Sequence, residues 1–108
     1  MTPIGSTVAC MSIHTVAVIT AKPGSEDKVR EAMQGLVAPT RAEEGNIAYD
    51  LSESLAEPGT FITVEERSDP SDLDKHMATS HIQEALAVLG TELAAPPAIH
   101  PLKPLIVG

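Results

Sequence analysis

Aromatic residues are scarce in this sequence: Tyr49 and Phe61 are the two that it contains, and tryptophan is absent. A hydrophobic core must therefore be built from aliphatic side chains, and apolar residues make up 43% of the chain, as is normal for a globular domain. Cysteine is scarce too. Cys10 stands alone, which excludes a disulfide within the chain and is typical of a reducing compartment.

Positive charge is also in short supply. Lysine and arginine total 7 against 15 aspartate and glutamate residues, so the formal net charge is −8. Nucleic acids and anionic membranes are bound through cationic surfaces, and we expect neither as a partner. No stretch approaches the roughly 20 apolar residues of a membrane span. We therefore expect a cytoplasmic protein.

The length of 108 residues is enough for one small domain. We expect residues 1–11 to be an N-terminal extension and residues 12–108 to form the domain. A domain of this size buries a modest fraction of its surface, so pairing with a second copy would add stability.

The first half of the chain predicts a strand, a helix and a hairpin. The β-rich run at 13–20 is followed by a turn, and Ser25 can cap a helix. Pro39 is expected to bend or end this helix. If the helix continues past Pro39, Gly45 is the expected final stop. The hairpin is expected over residues 46–68. One side of the helix carries apolar residues at helical spacing: Val29, Ala32, Met33, Leu36 and Val37.

The second half predicts two short helices. Ser71 or Asp69 can begin the first, which should reach His76. Ser80 is the expected N-cap of the second helix, and Gln83, three residues later, would complete a capping box. The apolar side of the second helix consists of Ile82, Leu86, Leu89 and Leu93.

A last strand is expected at 102–108, and Pro104 places it at a sheet edge because proline cannot donate to a neighbouring strand. The order β-α-β-β-α-β predicts an α+β protein of the ferredoxin-like fold, with a four-stranded antiparallel sheet and helices on one face. Since the helices cover only one face, an apolar second face calls for a homodimer packed sheet to sheet. The first strand has two apolar sets: Ile13, Ala17 and Ile19 on one face, Val16 and Val18 on the other.

The two histidines in "SDLDKHMATSHIQEAL", His76 and His81, raise the question of a metal site. Five residues along one straight helix correspond to a net rotation of about 140°, so the two side chains would point apart. Metal-binding histidines on a helix are spaced i, i+4 instead. We predict no metal site from this spacing, and no nucleotide-binding glycine motif or nucleophilic triad indicates a cofactor.

Four segments together resemble the antibiotic biosynthesis monooxygenase (ABM) family of small dimeric α+β barrel proteins. They are "AKPGSEDKVREAM", "LVAPTRAEEGNIAYDL", "PGTFITVEERSD" and "LDKHMATSHIQEAL", and they cover about residues 13–95 in the family's order. The resemblance implies the dimeric barrel fold. Its members include cofactor-free monooxygenases, quinol oxidases, haem-degrading enzymes and an isomerase, so the resemblance implies less about the reaction.

Position by position, the resemblance places the family's strand glutamate at Glu65 and its two helix histidines at His76 and His81. It also includes Arg41 and Glu43, which we expect to form a local ion pair, and Tyr49 on the next strand. The chain departs from the family where many relatives have an aromatic residue: here stand Val64, Glu66 and Arg67. A flat polycyclic substrate, or haem, is therefore not expected.

His76 is the predicted proton donor or acceptor, because histidine titrates near neutral pH and Asp72, four residues earlier, could hold its ring. Glu65 and Glu66 alternate on one strand, so only one can face a pocket. The resemblance favours Glu65, which is the predicted catalytic partner. A solvated carboxylate pair is the alternative.

Three further residues are predicted to bind substrate. Tyr49 could orient a substrate oxygen, although a lone strand tyrosine is also typical of a core. His14 lies beside the sheet face and could join the pocket. His81, in the first turn of a helix, would stay neutral and could either line the pocket or shape the turn.

The function that the resemblance implies is cofactor-independent monooxygenation of a small carbonyl, phenolic or quinol compound by O₂, and these residues are compatible with it. A dry pocket and a base that forms the substrate carbanion would suffice. Isomerase chemistry is compatible with the same residues. The alternative from another class is a non-catalytic dimer that binds a small molecule or serves in stress.

Overall fold

The structure is a computed structural model that describes residues 12–106. The predicted extension at 1–11 lies outside the described residues. The helices and strands, in chain order, are β1 Ile13–Thr20, α1 Glu26–Arg41, β2 Asn46–Glu53, β3 Thr60–Arg67, α2 Pro70–Met77, α3 Ser80–Leu89 and β4 Ala98–Leu102.

The four strands form one antiparallel sheet in the order β2-β3-β1-β4. The predicted ferredoxin-like α+β fold is confirmed. The side chains of β1 alternate, so that Thr15, Ala17 and Ile19 are buried against the helices. This helix-covered side is called the inner face here, and the opposite side, which carries His14 and Val16, is called the open face. Within residues 12–106, no helix is long and apolar enough to cross a membrane.

The core lies between the inner face and the helices. Aliphatic residues dominate it, as the shortage of aromatics requires, and Phe61 is the large ring of the main buried cluster. Its buried members are Ile19, Ala21, Val29, Met33, Leu36, Phe61, Ile82 and Leu89.

Helix α1 continues past Pro39 and ends at Arg41, so this proline does not end the helix, and the alternative that it bends the helix stays a prediction. Proline has no N–H to donate to the Gly35 carbonyl, so the helix loses one hydrogen bond at this point and continues for two more residues. Two backbone hydrogen bonds terminate the helix: the N–H of Ala42 donates to the carbonyl of Ala38, and the N–H of Glu43 donates to the carbonyl of Thr40.

Helices α2 and α3 are separated by Ala78 and Thr79. Asp69 caps α2 by accepting from the N–H of Ser71 at 2.8 Å, one of the two predicted starts. The capping box predicted at Ser80 is wrong by one residue, because Thr79 is the N-cap of α3. The Thr79 hydroxyl donates to the His76 carbonyl at 2.7 Å and accepts from the N–H of Ile82 at 3.4 Å, so one side chain joins the two helices.

The last strand lies at Ala98–Leu102 and not at 102–108 as predicted. It pairs with β1 from Val18 opposite Ala98 to His14 opposite Leu102, at the expected sheet edge. The apolar residues after Leu102 were predicted to be the strand, but the pairing with β1 stops at His14 opposite Leu102.

Candidate functional site

A cavity of about 60 Å³ lies between the inner face of the sheet and the three helices. Its walls are mostly aliphatic, with residues such as Met33, Leu36 and Leu86. Four polar residues interrupt this apolar lining: Tyr49, Thr63, Glu65 and His76. An apolar cavity with a few convergent polar groups is the usual form of a small-molecule site.

His76, near the end of α2, is the titratable ring of this cavity and is only 4% exposed. Its Nδ1 lies 2.9 Å from each carboxylate oxygen of Glu43. A carboxylate only accepts, so Nδ1 carries the hydrogen and Nε2 is left with a free lone pair when the ring is neutral. Burial lowers the pKa of His76, and the hydrogen bond to Glu43 offsets that shift only in part.

Glu43, the partner of His76, comes from the loop between α1 and β2. The loop turns at Gly45, whose φ of +88° is a backbone conformation that favours glycine. A Cβ at this position would also lie 2.4 Å from Cγ of Asp72. The N–H of Asn46 closes the turn on the Glu43 carbonyl at 3.2 Å. The turn therefore fixes the backbone of Glu43 close to α2.

Two predicted partnerships of this region are wrong. Arg41 does not pair with Glu43; its guanidinium binds Asp50 and the Tyr49 carbonyl, each at 3.0 Å. Asp72 does not hold the His76 ring. Its carboxylate instead accepts a hydrogen bond from the Ser68 hydroxyl at 2.8 Å.

His81 also binds Glu43. Its Nε2 lies 2.5 Å from Oε2, and its ring centroid is 6.2 Å from that of His76. The two histidines converge because they lie on different helices, whereas the expected 140° separation applies to one straight helix. His81 does not line the cavity. The donor atoms of Glu43, His76 and His81 all lie within 4.8 Å of one another, which makes this triad able to hold a metal ion.

Glu65 faces the cavity and is 5% exposed. Both of its oxygens are occupied, since the Thr63 hydroxyl and Nη1 of Arg67 each donate to it at 2.5 Å. Arg67 is buried behind it, with Nε and Nη2 lacking a partner among the described residues. This arrangement suits a fixed ion pair better than a free base.

Tyr49 and His14 lie on different sides of the sheet. Tyr49 lines the cavity, with its ring centroid 6.0 Å from that of His76. Burial raises the pKa of its hydroxyl, which therefore stays protonated and can donate a hydrogen bond. His14 is on the open face with Glu66, 3.7 Å away, so the structure does not bring it to the cavity.

Glu43 is the site residue that the sequence reasoning did not assign to the site. The signal was present, because Glu43 stands in the same "PTRAE-x-G" segment that carries the family resemblance. Glu43 and His76 are 33 residues apart in the sequence, so spacing alone does not indicate their contact.

The fold and the cavity define a small ferredoxin-like α+β domain that encloses a histidine-containing pocket. Residues 12–88 match the family described as antibiotic biosynthesis monooxygenase, and the chain belongs to that family. The resemblance found in the sequence is thereby confirmed.

Named relatives agree with this assignment. The chain is 38% identical over 81 residues to "Putative monooxygenase YcnE" of Bacillus subtilis, covering 75% of this chain and 84% of the relative. It is 31% identical over 93 residues to "Putative monooxygenase Rv0793" of Mycobacterium tuberculosis, covering 86% and 91%.

Solved structures extend the likeness. The structure of Rv0793 superposes with a TM-score of 0.82 at 29% identity, covering 89% of this chain and 97% of that one. The structure of PA3566 from Pseudomonas aeruginosa gives 0.81 at 29% identity, covering 88% and 95%. The family and the relatives' names support monooxygenase chemistry.

Proposed function

We propose that the chain is a cofactor-independent monooxygenase of a small carbonyl, phenolic or quinol compound, with His76 as its general base. The observation that carries this proposal is the Glu43–His76 pair at the wall of an apolar cavity. Glu43 holds the hydrogen on Nδ1, which directs the basic Nε2 away from Glu43 and makes it the atom available to a substrate proton.

The proposed reaction begins at an acidic CH₂ group, such as one beside a carbonyl or in the keto form of a phenol. Nε2 of His76 takes one proton, and the carbanion passes electrons to O₂ and forms a C–O bond. The imidazolium returns its proton to the resulting peroxide. Loss of the second C–H proton and of hydroxide yields a carbonyl and water. The substrate itself supplies the electrons, so CH₂ and O₂ become C=O and H₂O.

The remaining polar groups of the cavity have supporting roles in this proposal. The protonated Tyr49 hydroxyl would donate to the substrate oxygen on which charge develops. Glu65 would keep the Arg67 charge balanced and is the next candidate for the base. The aliphatic walls would exclude water, which protects the carbanion from simple reprotonation.

Cavity size restricts the proposed substrates. An engineered apolar cavity of roughly 150 Å³ accommodates benzene, for comparison. The 60 Å³ found here is smaller, so a single small ring already requires side chains at its edge to move. We therefore propose small hydroxy-ketones and one-ring phenols or quinols ahead of polycyclic compounds.

Oxygen uptake tests the function. A panel of hydroxy-ketones, hydroquinones and anthrone would be screened with the wild type and with His76→Ala. Uptake that His76→Ala abolishes and that Glu44→Gln, at an exposed residue, retains supports the proposal. Saturable binding of a panel compound without uptake would instead support the non-catalytic ligand-binding alternative.

We also propose that the protein is a cytoplasmic homodimer joined through its open face. On β1 and β3 the middle of that face is apolar, with Val16 opposite Val64 and Val18 opposite Ile62, while the charged pair His14 and Glu66 lies toward one end. Val64 is 54% exposed in the single chain. An apolar patch centred on a sheet is typical of an interface between subunits.

A further inference from the structure

We propose that Glu43, His76 and His81 bind one divalent transition-metal ion of the zinc class, and that this ion inhibits the enzyme. The inhibitory part depends on the function proposed above, whereas the binding part does not. Two imidazoles and a carboxylate are a common protein ligand set for zinc, with water in the fourth position.

The distances in the triad suit one ion after a small adjustment. Two donors bound to zinc at about 2.0–2.2 Å lie roughly 3.4 Å apart at the tetrahedral angle. His76 Nδ1 now lies 2.9 Å from each Glu43 oxygen, and His81 Nε2 lies 2.5 Å from Oε2. Withdrawal of the carboxylate by about 0.5–1 Å would open the position between the three donors.

The surroundings of the triad permit an ion to enter. His81 is 24% and Glu43 13% exposed in their side chains, whereas His76 is 5% exposed. The triad is therefore reached from the solvent side of His81 and not through the cavity. Nitrogen donors favour zinc, cobalt or copper over calcium and magnesium, which prefer oxygen ligands.

Inhibition follows from which ring nitrogen the ion occupies. Metal at Nδ1 of His76 displaces the hydrogen from that atom, so a neutral ring must carry its hydrogen on Nε2. Nε2 then donates instead of accepting and cannot take a substrate proton. The ion would also lie behind His76, beyond reach of a substrate in the cavity, because Glu43 and His81 do not line it.

Binding is tested on tag-free protein at neutral pH by competition with a chromogenic zinc chelator. We expect one zinc ion per chain. His81→Ala and Glu43→Gln should each weaken zinc affinity by at least roughly 10–100-fold, the loss typical when a residue that supports a metal ligand is replaced. His100→Ala is the matched control and should bind as the wild type does. Equal affinity in the wild type and His81→Ala would overturn the site.

Two further measurements separate binding from folding and from inhibition. Thermal melts verify that each variant is folded, and the visible spectrum of bound cobalt(II) should change with His81→Ala if the ring is a ligand. Zinc should reduce the wild-type activity, and chelation should restore it, while His81→Ala should resist zinc relative to its own zinc-free activity. Tight binding at the triad with undiminished turnover would refute the inhibition and leave the function proposed above intact.

Discussion

Replacement of Glu43 by glutamine tests the proposed base most directly. Both imidazoles donate to this carboxylate, which presents two acceptor oxygens. Glutamine keeps one oxygen and presents an NH₂ group in place of the other. When that NH₂ donates to Nδ1 of His76, the neutral ring must carry its hydrogen on Nε2. Nε2 can then no longer accept a substrate proton.

The expected loss in kcat for Glu43→Gln is at least about 10–100-fold, as for other residues that orient a functional histidine. This corresponds to roughly 1.4–2.7 kcal/mol of barrier. KM should change little, because Glu43 does not line the cavity. Loss of charge-assisted hydrogen bonds should also reduce the free energy of unfolding by about 1–3 kcal/mol.

The assay is steady-state oxygen uptake together with thermal unfolding of the same preparations. Glu44→Gln is the matched control, since Glu44 is the next residue along the chain and is exposed. It should keep the wild-type kcat and melting temperature. If Glu43→Gln behaves like Glu44→Gln in both measurements, Glu43 does not position His76.

Four further outcomes are expected. His76→Ala should lower turnover by about 10²–10⁴-fold, the range for a lost general base, and an unchanged oxygen-uptake rate would exclude His76 from that role. Val64→Asp should convert a dimer into an 11.3 kDa monomer by sedimentation, whereas a wild type that already sediments as a monomer would contradict the interface. Gly45→Ala should destabilise the chain by more than about 1 kcal/mol because of its positive φ, while Gly35→Ala, inside α1 with open space around it, should stabilise it slightly in urea unfolding. The pKa of Glu53 is lowered in the folded chain by the guanidinium and backbone N–H that bind it, so its contribution is present above about pH 4.3 and is lost as pH falls. Glu53→Gln should accordingly show a smaller drop in melting temperature between neutral and acid pH, and an equal drop would show that the lowered pKa does not affect stability.

The fold could be predicted from the sequence because local patterns determine most of it. The alternation in β1 and the apolar side of α1 are each visible within a few residues, and the order of elements leaves one simple topology. The position of β4 could not be predicted in the same way. Its register depends on which residues of β1 it pairs with, His14 to Val18, which is information from a distant part of the chain.

The site was predictable in part. Tyr49, Glu65 and His76 meet in the cavity as the sheet alternation and the family resemblance suggested, whereas His14 lies on the open face. The role of Glu43 could not be read from spacing, because its contact with α2 depends on the turn at Gly45. Likewise, the convergence of the two histidines depends on a helix break whose cap is Thr79 and not Ser80.

Glu43 and His76 are 33 residues apart, so the orientation of the proposed base depends on the cooperativity of folding. The whole β2–β3 hairpin lies between them, so the pair cannot assemble until that long loop of chain has closed. A partly opened molecule, with α2 displaced from the sheet, would still contain both residues but no oriented imidazole. Oxygen uptake would then vanish with the first local opening of α2, before spectroscopic probes of the sheet register any unfolding.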